Sequence, residues 1–227
     1  MTAGAYYDNV NPDILQRMPP GADLVVEVGV GAGKLGHTYM LANPGCTYCG
    51  FEYVEEMAAI ARDRLSQVFV GDVERADSLA EYDRWANGRQ ADLLVFGDVL
   101  EHLRDPWGFV RAFRERVRKG GTCIACIPNV SNWSLLLGQL KGEWKYADSG
   151  LLDRTHLRFF TLDSAVEMFK DASWSVVSAS ARIVDREQTA KALEAFEPLV
   201  KTLGVPREKL RRNLGAFQWV IEAKNPA

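Results

Sequence analysis

Residues 23–36 read DLVVEVGVGAGKLG, and the fold turns on how this stretch is parsed. Residues 23–30 form a nearly continuous apolar run, the pattern of a strand buried on both faces. Gly29, Gly31 and Gly33 crowd the point where that strand gives way to a helix predicted over 34–42, which Asn43-Pro44-Gly45 stops. Working outward, further strands are predicted at 47–53, 67–71, 92–97 and 122–127. A helix over 54–65 puts Met57, Ile60, Ala61 and Leu65 on one face, and another over 106–119 opens with Pro106 and ends at Gly120-Gly121. Residues 161–172 read as a helix, 174–183 and 216–223 as two last strands, and 187–204 as an extra amphipathic helix between them. Strands alternating with helices at this spacing imply βαβ units, and right-handed crossovers then give an open parallel sheet covered on both sides. Ligands bind such sheets outside the carboxyl ends of the strands.

After Pro128 the rhythm breaks for residues 129–160, which hold an apolar helical segment at 133–140 and then a polar, aromatic stretch. An insert at the active edge of a rigid sheet commonly carries specificity. With no internal repeat or linker in view, residues 1–227 are expected to form one domain, carrying the insert 129–160 and the extra helix 187–204.

Composition narrows the function. Lys plus Arg number 27 and Asp plus Glu 30, a net charge of -3, whereas a nucleic-acid binder carries a positive excess; no nucleic-acid partner is expected. No stretch approaches the roughly 18 consecutive apolar residues of a spanning helix, and residues 1–10 lack the basic and apolar regions of a signal peptide, so a cytoplasmic chain without a membrane span is expected. Cys46, Cys49, Cys123 and Cys126 form two CxxC pairs, the spacing of a zinc site. Cys123 and Cys126 fall within the strand-like run TCIACI, however, where an odd separation points the thiols to opposite faces. Buried reduced thiols are expected instead.

Taken alone, the glycine loop has two readings. Gly31, Gly33 and Gly36 satisfy GxGxxG, and Glu52 stands about twenty residues on, which suits a dinucleotide and an NAD(P)-dependent oxidoreductase. Glu27 argues for another ligand, because a carboxylate in E-x-G-x-G-x-G accepts hydrogen bonds from an ammonium but repels a pyrophosphate. Gly71-Asp72-Val73 closes the third strand, where a carboxylate can take the exocyclic amine of adenine. The fourth strand runs into GDVLEHLRDP at 97–106. Together these segments resemble the class I S-adenosylmethionine-dependent methyltransferases over nearly the whole chain. Tyr6-Tyr7-Asp8, Ile127-Pro128-Asn129-Val130 and DRTHLRFFT at 153–161 further resemble a subgroup associated with methylation in bacterial polysaccharide biosynthesis, of sugars and of secondary metabolites. Many relatives carry Cys where this chain has Val30, a position where only backbone is needed.

The resemblance implies a Rossmann-like three-layer α/β sandwich whose seven-stranded sheet is mostly parallel, with the last strand antiparallel. It implies S-adenosylmethionine as cofactor, with Glu27, Gly29, Gly31 and Gly33 at the methionine moiety and Glu52 accepting both ribose hydroxyls, as a group with two acceptors and no donor can. Tyr53 would flank adenine, Asp72 and the Val73 N–H would read its edge, and Asp98 and Val99 would complete the cofactor site. Tyr7, Asn129, Trp133, Arg154 and Arg158 are the expected acceptor-binding residues. Of three histidines, His37 lies in the first helix, while His102 and His156 are candidate bases, since imidazole titrates near neutrality. Asp98, Glu101 and His102 resemble the metal-binding motif of some quinone-pathway O-methyltransferases, but they share a face only if the segment is helical, and no required metal is expected. Trp133, Leu135, Leu136, Leu137 and Leu140, with Trp144 and Tyr146, suit burial over the sheet edge, a lid or a dimer contact. The expected reaction is O-methylation of a sugar, glycan or polyhydroxylated metabolite by a monomer or homodimer. N-methylation, nicotinamide-dependent oxidoreduction and a non-catalytic cofactor-binding scaffold are the rivals.

Overall fold

The computed structural model describes residues 10–226. Seven strands form one sheet: β1 (Leu24–Val28), β2 (Thr47–Glu52), β3 (Gln67–Val70), β4 (Ala91–Gly97), β5 (Val117–Pro128), β6 (Ser175–Arg182) and β7 (Gln218–Lys224), in the order β3-β2-β1-β4-β5-β7-β6. β1 to β5 pair in parallel, and β7 runs antiparallel between β5 and β6. The chain winds outward from β1 through β2 to β3, then restarts on the other side at β4, so the switch point lies between β1 and β4.

Every residue of β1 is buried, Glu27 included, as its nearly continuous apolar run leads one to expect. Its side chains alternate between two cores: Leu24, Val26 and Val28 join Phe51, Phe96 and Phe113 on one face, while Val25 joins Tyr48, Leu93 and Ile124 on the other. The same alternation sends Cys123 into the first core and Cys126 into the second, and both thiols are free.

The helices are α1 (Pro12–Leu15), α2 (Lys34–Ala42), α3 (Glu55–Arg62), α4 (Ala76–Ala86), α5 (Pro106–Arg114), α6 (Trp133–Leu140), α7 (Leu162–Asp171), α8 (Arg186–Thr202) and α9 (Arg207–Gly215), with a 3-10 turn at Leu100–His102. Several depart from the sequence expectation. α5 stops at Arg114, and β5 already begins at Val117, which is buried opposite Ala91. Gly120-Gly121 therefore lies inside a strand; a Cβ on Gly121 would stand 2.5 Å from Val117 Cγ1, so the pair permits a kink there instead of ending a helix. α3 turns Ala58 and Ala61 to the sheet and leaves Ile60 41% exposed, because small residues let this helix approach the glycine loop. α4 and α9 are additional helices, each burying only two residues, too few to write an apolar stripe in the sequence.

The insert is a closed excursion. Asn129 bridges to Phe160, and Val130 N–H donates to Phe160 O at 2.9 Å, so its two ends meet at the carboxyl end of β5. Asn129 and Asn132 account for the seating of α9: their amides donate to the carbonyls of Asn213, Leu214 and Ala216 at its C-terminus, groups a helix end leaves unsatisfied.

Candidate active site

Three glycines make the turn from β1 into α2, and two of them show why nothing larger fits. Gly29 has φ +76°, and a Cβ there would stand 2.3 Å from Val99 Cγ2; Gly33, with φ +78°, lies against Ala61. This contact locks the loop onto the segment that follows β4. Glu52, at the end of β2, is buried and braces the loop from the other side: Oε2 accepts from Gly31 N–H at 2.7 Å and Oε1 from Val54 N–H at 2.9 Å. Each oxygen keeps one further lone pair for an incoming hydroxyl. Glu27 is 4% exposed and, among the described residues, takes one hydrogen bond, from the Tyr48 hydroxyl at 2.9 Å. Burial pushes its carboxyl up to about 8; the Tyr48 hydrogen bond offsets this in part, and the Glu52 charge adds to it.

Beyond Glu52, Tyr53 is 74% exposed, an aromatic face open to solvent at the sheet edge. Val73 is packed into the core. Asp72 is engaged: Oδ1 accepts from Glu74 N–H at 2.9 Å, and Oδ2 pairs with Arg104 Nη2 at 2.6 Å. Glu74 holds the same guanidinium through Nε at 3.1 Å and accepts from the Arg104 and Asp105 amides.

At the end of β4 the three acid-and-imidazole residues part company. Asp98 has φ +56°, and its carboxyl accepts from Gln218, which in turn accepts from Arg182, itself paired with Asp13 at 3.3 Å. Burial pushes Asp98 up to about 6, with Arg182 pulling the other way. Glu101 and His102 instead meet His156 from the insert. The His102 and His156 rings stand 4.8 Å apart, edge to face, and His156 Nε2 lies 3.9 Å from Glu101 Oε1. His102 Nδ1–H points to Thr155 O at 3.2 Å and Thr155 Oγ1 at 3.1 Å, while the Thr155 hydroxyl donates to Asp153 at 2.6 Å. His156 Nδ1–H donates to Leu151 O at 3.3 Å. Burial holds both imidazoles below their usual value, and the His102 charge lowers His156 further. Glu101 is driven well above the ordinary carboxylate range by burial and then by Asp98. Its backbone carbonyl accepts from Leu157 and Arg158 N–H at 2.8 and 3.0 Å, tying the insert to the 3-10 turn.

The expected acceptor-binding residues disperse. Asn129 is fully buried in the cap of α9, and Trp133 Nε1 donates to Thr189. Arg154 pairs with Asp148 at 2.8 Å, and Arg158 donates to the carbonyls of Leu157 and Arg104. Tyr7 lies outside the described residues. Two groups without an expected role do approach the histidines: Thr155, which orients His102, and Phe159, whose ring stands 6.4 Å from His156 and 5.7 Å from Trp144. Both fall within DRTHLRFFT, so the segment was marked by the sequence although these positions were not.

The chain matches a family model described as a methyltransferase domain over residues 4–179. It is 24% identical over 150 residues, 65% of this chain and 58% of the relative, to a ubiquinone biosynthesis O-methyltransferase of Cereibacter sphaeroides. To a protein of the same name from Pseudomonas entomophila it is 29% identical over 130 residues, 57% and 54% of the two chains. The chain thus spans about half the length of the curated relatives it matches. A solved S-adenosylmethionine-dependent methyltransferase of Mesorhizobium loti aligns with TM-score 0.58 at 13% identity over 98% of both chains, a likeness of fold.

Proposed function

This chain belongs to the methyltransferase domain family, and from that premise we propose that it transfers the methyl group of S-adenosylmethionine to a hydroxyl of a small molecule. The observation that carries the reading is Glu27, a carboxyl buried beside the glycine loop whose one hydrogen-bond partner among the described residues, the Tyr48 hydroxyl, is neutral. A cation satisfies such a group by favouring its ionised form, whereas the diphosphate of a nicotinamide cofactor would be repelled by that form. Glu52 fits the same ligand, since its backbone contacts fix both oxygens and leave each an acceptor position for a ribose diol. Bound there, S-adenosylmethionine supplies an electrophilic methyl on a sulfonium.

The protein's own tasks are alignment, exclusion of water and removal of the hydroxyl proton. We assign the last task to the imidazoles of His102 and His156. Each commits Nδ1–H to a backbone carbonyl, which fixes the tautomer and leaves Nε2 with the lone pair, and burial keeps each ring in its neutral, proton-accepting form. O-methylation is favoured over N-methylation by the names of the curated relatives. For the acceptor we retain a sugar, glycan or other polyhydroxylated ring: exposed Trp144 and Tyr146, with Phe159 beside His156, offer aromatic faces to the apolar side of such a ring.

Thermal-shift and calorimetric titration with S-adenosylhomocysteine and with NAD(H) tests the cofactor. Stabilisation by the first is expected, and stabilisation by the nicotinamide alone overturns the assignment. Labelled-methyl transfer to a panel of sugars, catechols and amines then tests the acceptor, and turnover confined to the amines overturns O-methylation.

A further inference from the structure

We propose that the tip of the α8–α9 hairpin docks onto the surface of an anionic phospholipid bilayer, its apolar side chains entering the headgroup layer and its cations meeting the phosphates. The hairpin lies outside the methyltransferase-domain match, which ends at residue 179, so neither the cofactor loop nor the transfer reaction accounts for it. Over its 17 residues α8 buries Thr189 and Phe196, and α9 buries Leu210 and Gly215. The base of the hairpin is fastened to the body: Asn129 and Asn132 donate to carbonyls at the end of α9, Trp133 donates to Thr189, and Arg212 pairs with Asp163 at 3.4 Å. Its far end is not, and residues 201–209 are exposed without a break.

Two features coincide at that tip. Leu203 is 70% exposed, and Leu199 and Val205 are exposed to 48% and 38%. For apolar side chains on a projecting turn, an interfacial contact supplies the partner that water does not. Residues 198–215 carry Lys201, Arg207, Lys209, Arg211 and Arg212 against the single acid Glu208, in a chain whose net charge is -3. Glu197 takes Arg207 at 2.8 Å, while Lys201, Lys209 and Arg211 have no ion-pair partner among the described residues. Apolar and cationic groups share one surface. An open hollow between the helices is lined by Val200, Val205 and Leu210 together with Lys201 and Arg207, and Arg207 also lines the adjoining hollow with Arg211. Lysine and arginine stems lie along such apolar surface while their charged heads reach the phosphates.

Charge and size select the occupant. The remainder of the chain is acidic, so an anionic surface repels the body and attracts the hairpin, which orients the molecule tip first. A stable protein interface takes about 20–30 residues a side, far more than the exposed run 201–209 offers, whereas a fluid surface needs only a few inserted side chains and a few cations. Among the described residues no helix is long and apolar enough to cross a membrane; the contact is a peripheral one. Arg182, where β6 hands over to the hairpin, pairs with Gln218, and Gln218 pairs with Pro128 at the carboxyl end of β5. Docking therefore sets the edge of the sheet that carries the candidate site beside the bilayer.

The test is flotation of the full chain with vesicles of phosphatidylcholine and, separately, of phosphatidylcholine mixed with phosphatidylglycerol. Binding to the mixed vesicles alone, released by salt, is expected. The triple variant Lys201→Ser, Lys209→Ser, Arg211→Ser should weaken it about tenfold or more, and Leu203→Ser about fivefold or more. Amide exchange should slow across 199–211 on binding. All four substituted side chains are exposed, so the variants should fold and bind S-adenosylhomocysteine as the wild type does. Failure to float with the mixed vesicles, equal binding to the neutral ones, unchanged binding in the variants, or protection confined to 133–146 overturns the proposal. Self-association that Leu203→Ser abolishes, without flotation, assigns the tip to a second copy and overturns it as well. Because no readout is methyl transfer, this proposal and the methyltransferase reading fail separately.

Discussion

The two halves of the candidate site treat their carboxylates differently. At the ends of β1 and β2, Glu52 is held through both oxygens by backbone amides, and the loop that donates one of them is itself clamped against Val99. At the end of β4, Glu101 is more deeply buried and has no donor among the described residues. A loop whose Gly29, Val30, Gly31 and Gly33 amides are already paired and whose turn is packed against Val99 cannot rearrange cheaply, so the first half is preorganised. In the second half the imidazoles are set in place, His102 by Thr155 and His156 by Leu151, while the carboxyl between them has no donor among the described residues. One half fixes its carboxylate with backbone donors; the other buries its carboxyl without one among the described residues.

The largest effect should come from breaking the clamp of the preorganised half. Gly29→Ala puts a methyl 2.3 Å from Val99 Cγ2 at a residue with φ +76°, combining overpacking with backbone strain, and should cost about 2–4 kcal/mol in denaturant unfolding. Adding Val99→Ala should restore the overpacking share alone. If the single variant is as stable as the wild type, the loop is not clamped.

Next in size is Glu52→Ala, which removes both the acceptor for Gly31 and Val54 and the carboxylate offered to the ribose. Affinity for S-adenosylhomocysteine should fall about tenfold or more, as expected when charge-assisted contacts are lost. Unchanged calorimetric affinity would remove Glu52 from the site.

How far the two halves could be read in advance follows the same division. The first was legible because its determinants are local: a nearly continuous apolar run with one acid in it, three glycines and an acid at the end of the next strand occupy residues 24–52. The second depends on contacts between residues about fifty positions apart, such as His102 with Thr155 and Glu101 with His156, which no local pattern carries. Grouping Asp98 with Glu101 and His102 assumed helical spacing, but Asp98 adopts a left-handed φ and only Leu100–His102 turns, so its carboxyl leaves for β7. Asn129 presented the same difficulty: its partners at Asn213 and Ala216 lie in a helix whose own apolar signal is too weak to read.

Glu27 sharpens the comparison through pH. Its folded value, about 8, lies above the ordinary 4.5, so the folded protein binds more protons than the unfolded chain between those limits. The contribution of this group to stability is therefore full below 4.5 and is lost as pH rises through about 8. A ligand ammonium prefers the ionised carboxyl, so affinity for S-adenosylhomocysteine should move in the opposite direction and increase severalfold as pH climbs toward 8. In Glu27→Gln both slopes should flatten. An affinity that falls over that interval in the wild type would mean that no cation meets Glu27.

The smallest effect tests whether preorganisation extends to the adenine end. There Asp72 already spends one oxygen on the Glu74 amide and the other on Arg104, whose guanidinium Glu74 shares. Arg104 is largely exposed, and an exposed ion pair contributes little, so releasing Asp72 from it can change cofactor affinity by no more than about fivefold. If adenine's amine must compete with Arg104 for Asp72, Arg104→Ala should tighten S-adenosylhomocysteine within that limit, and Asp72→Asn should weaken it by a similar factor. If Arg104→Ala weakens binding instead, the guanidinium itself touches the cofactor, and preorganisation does not extend to the adenine end.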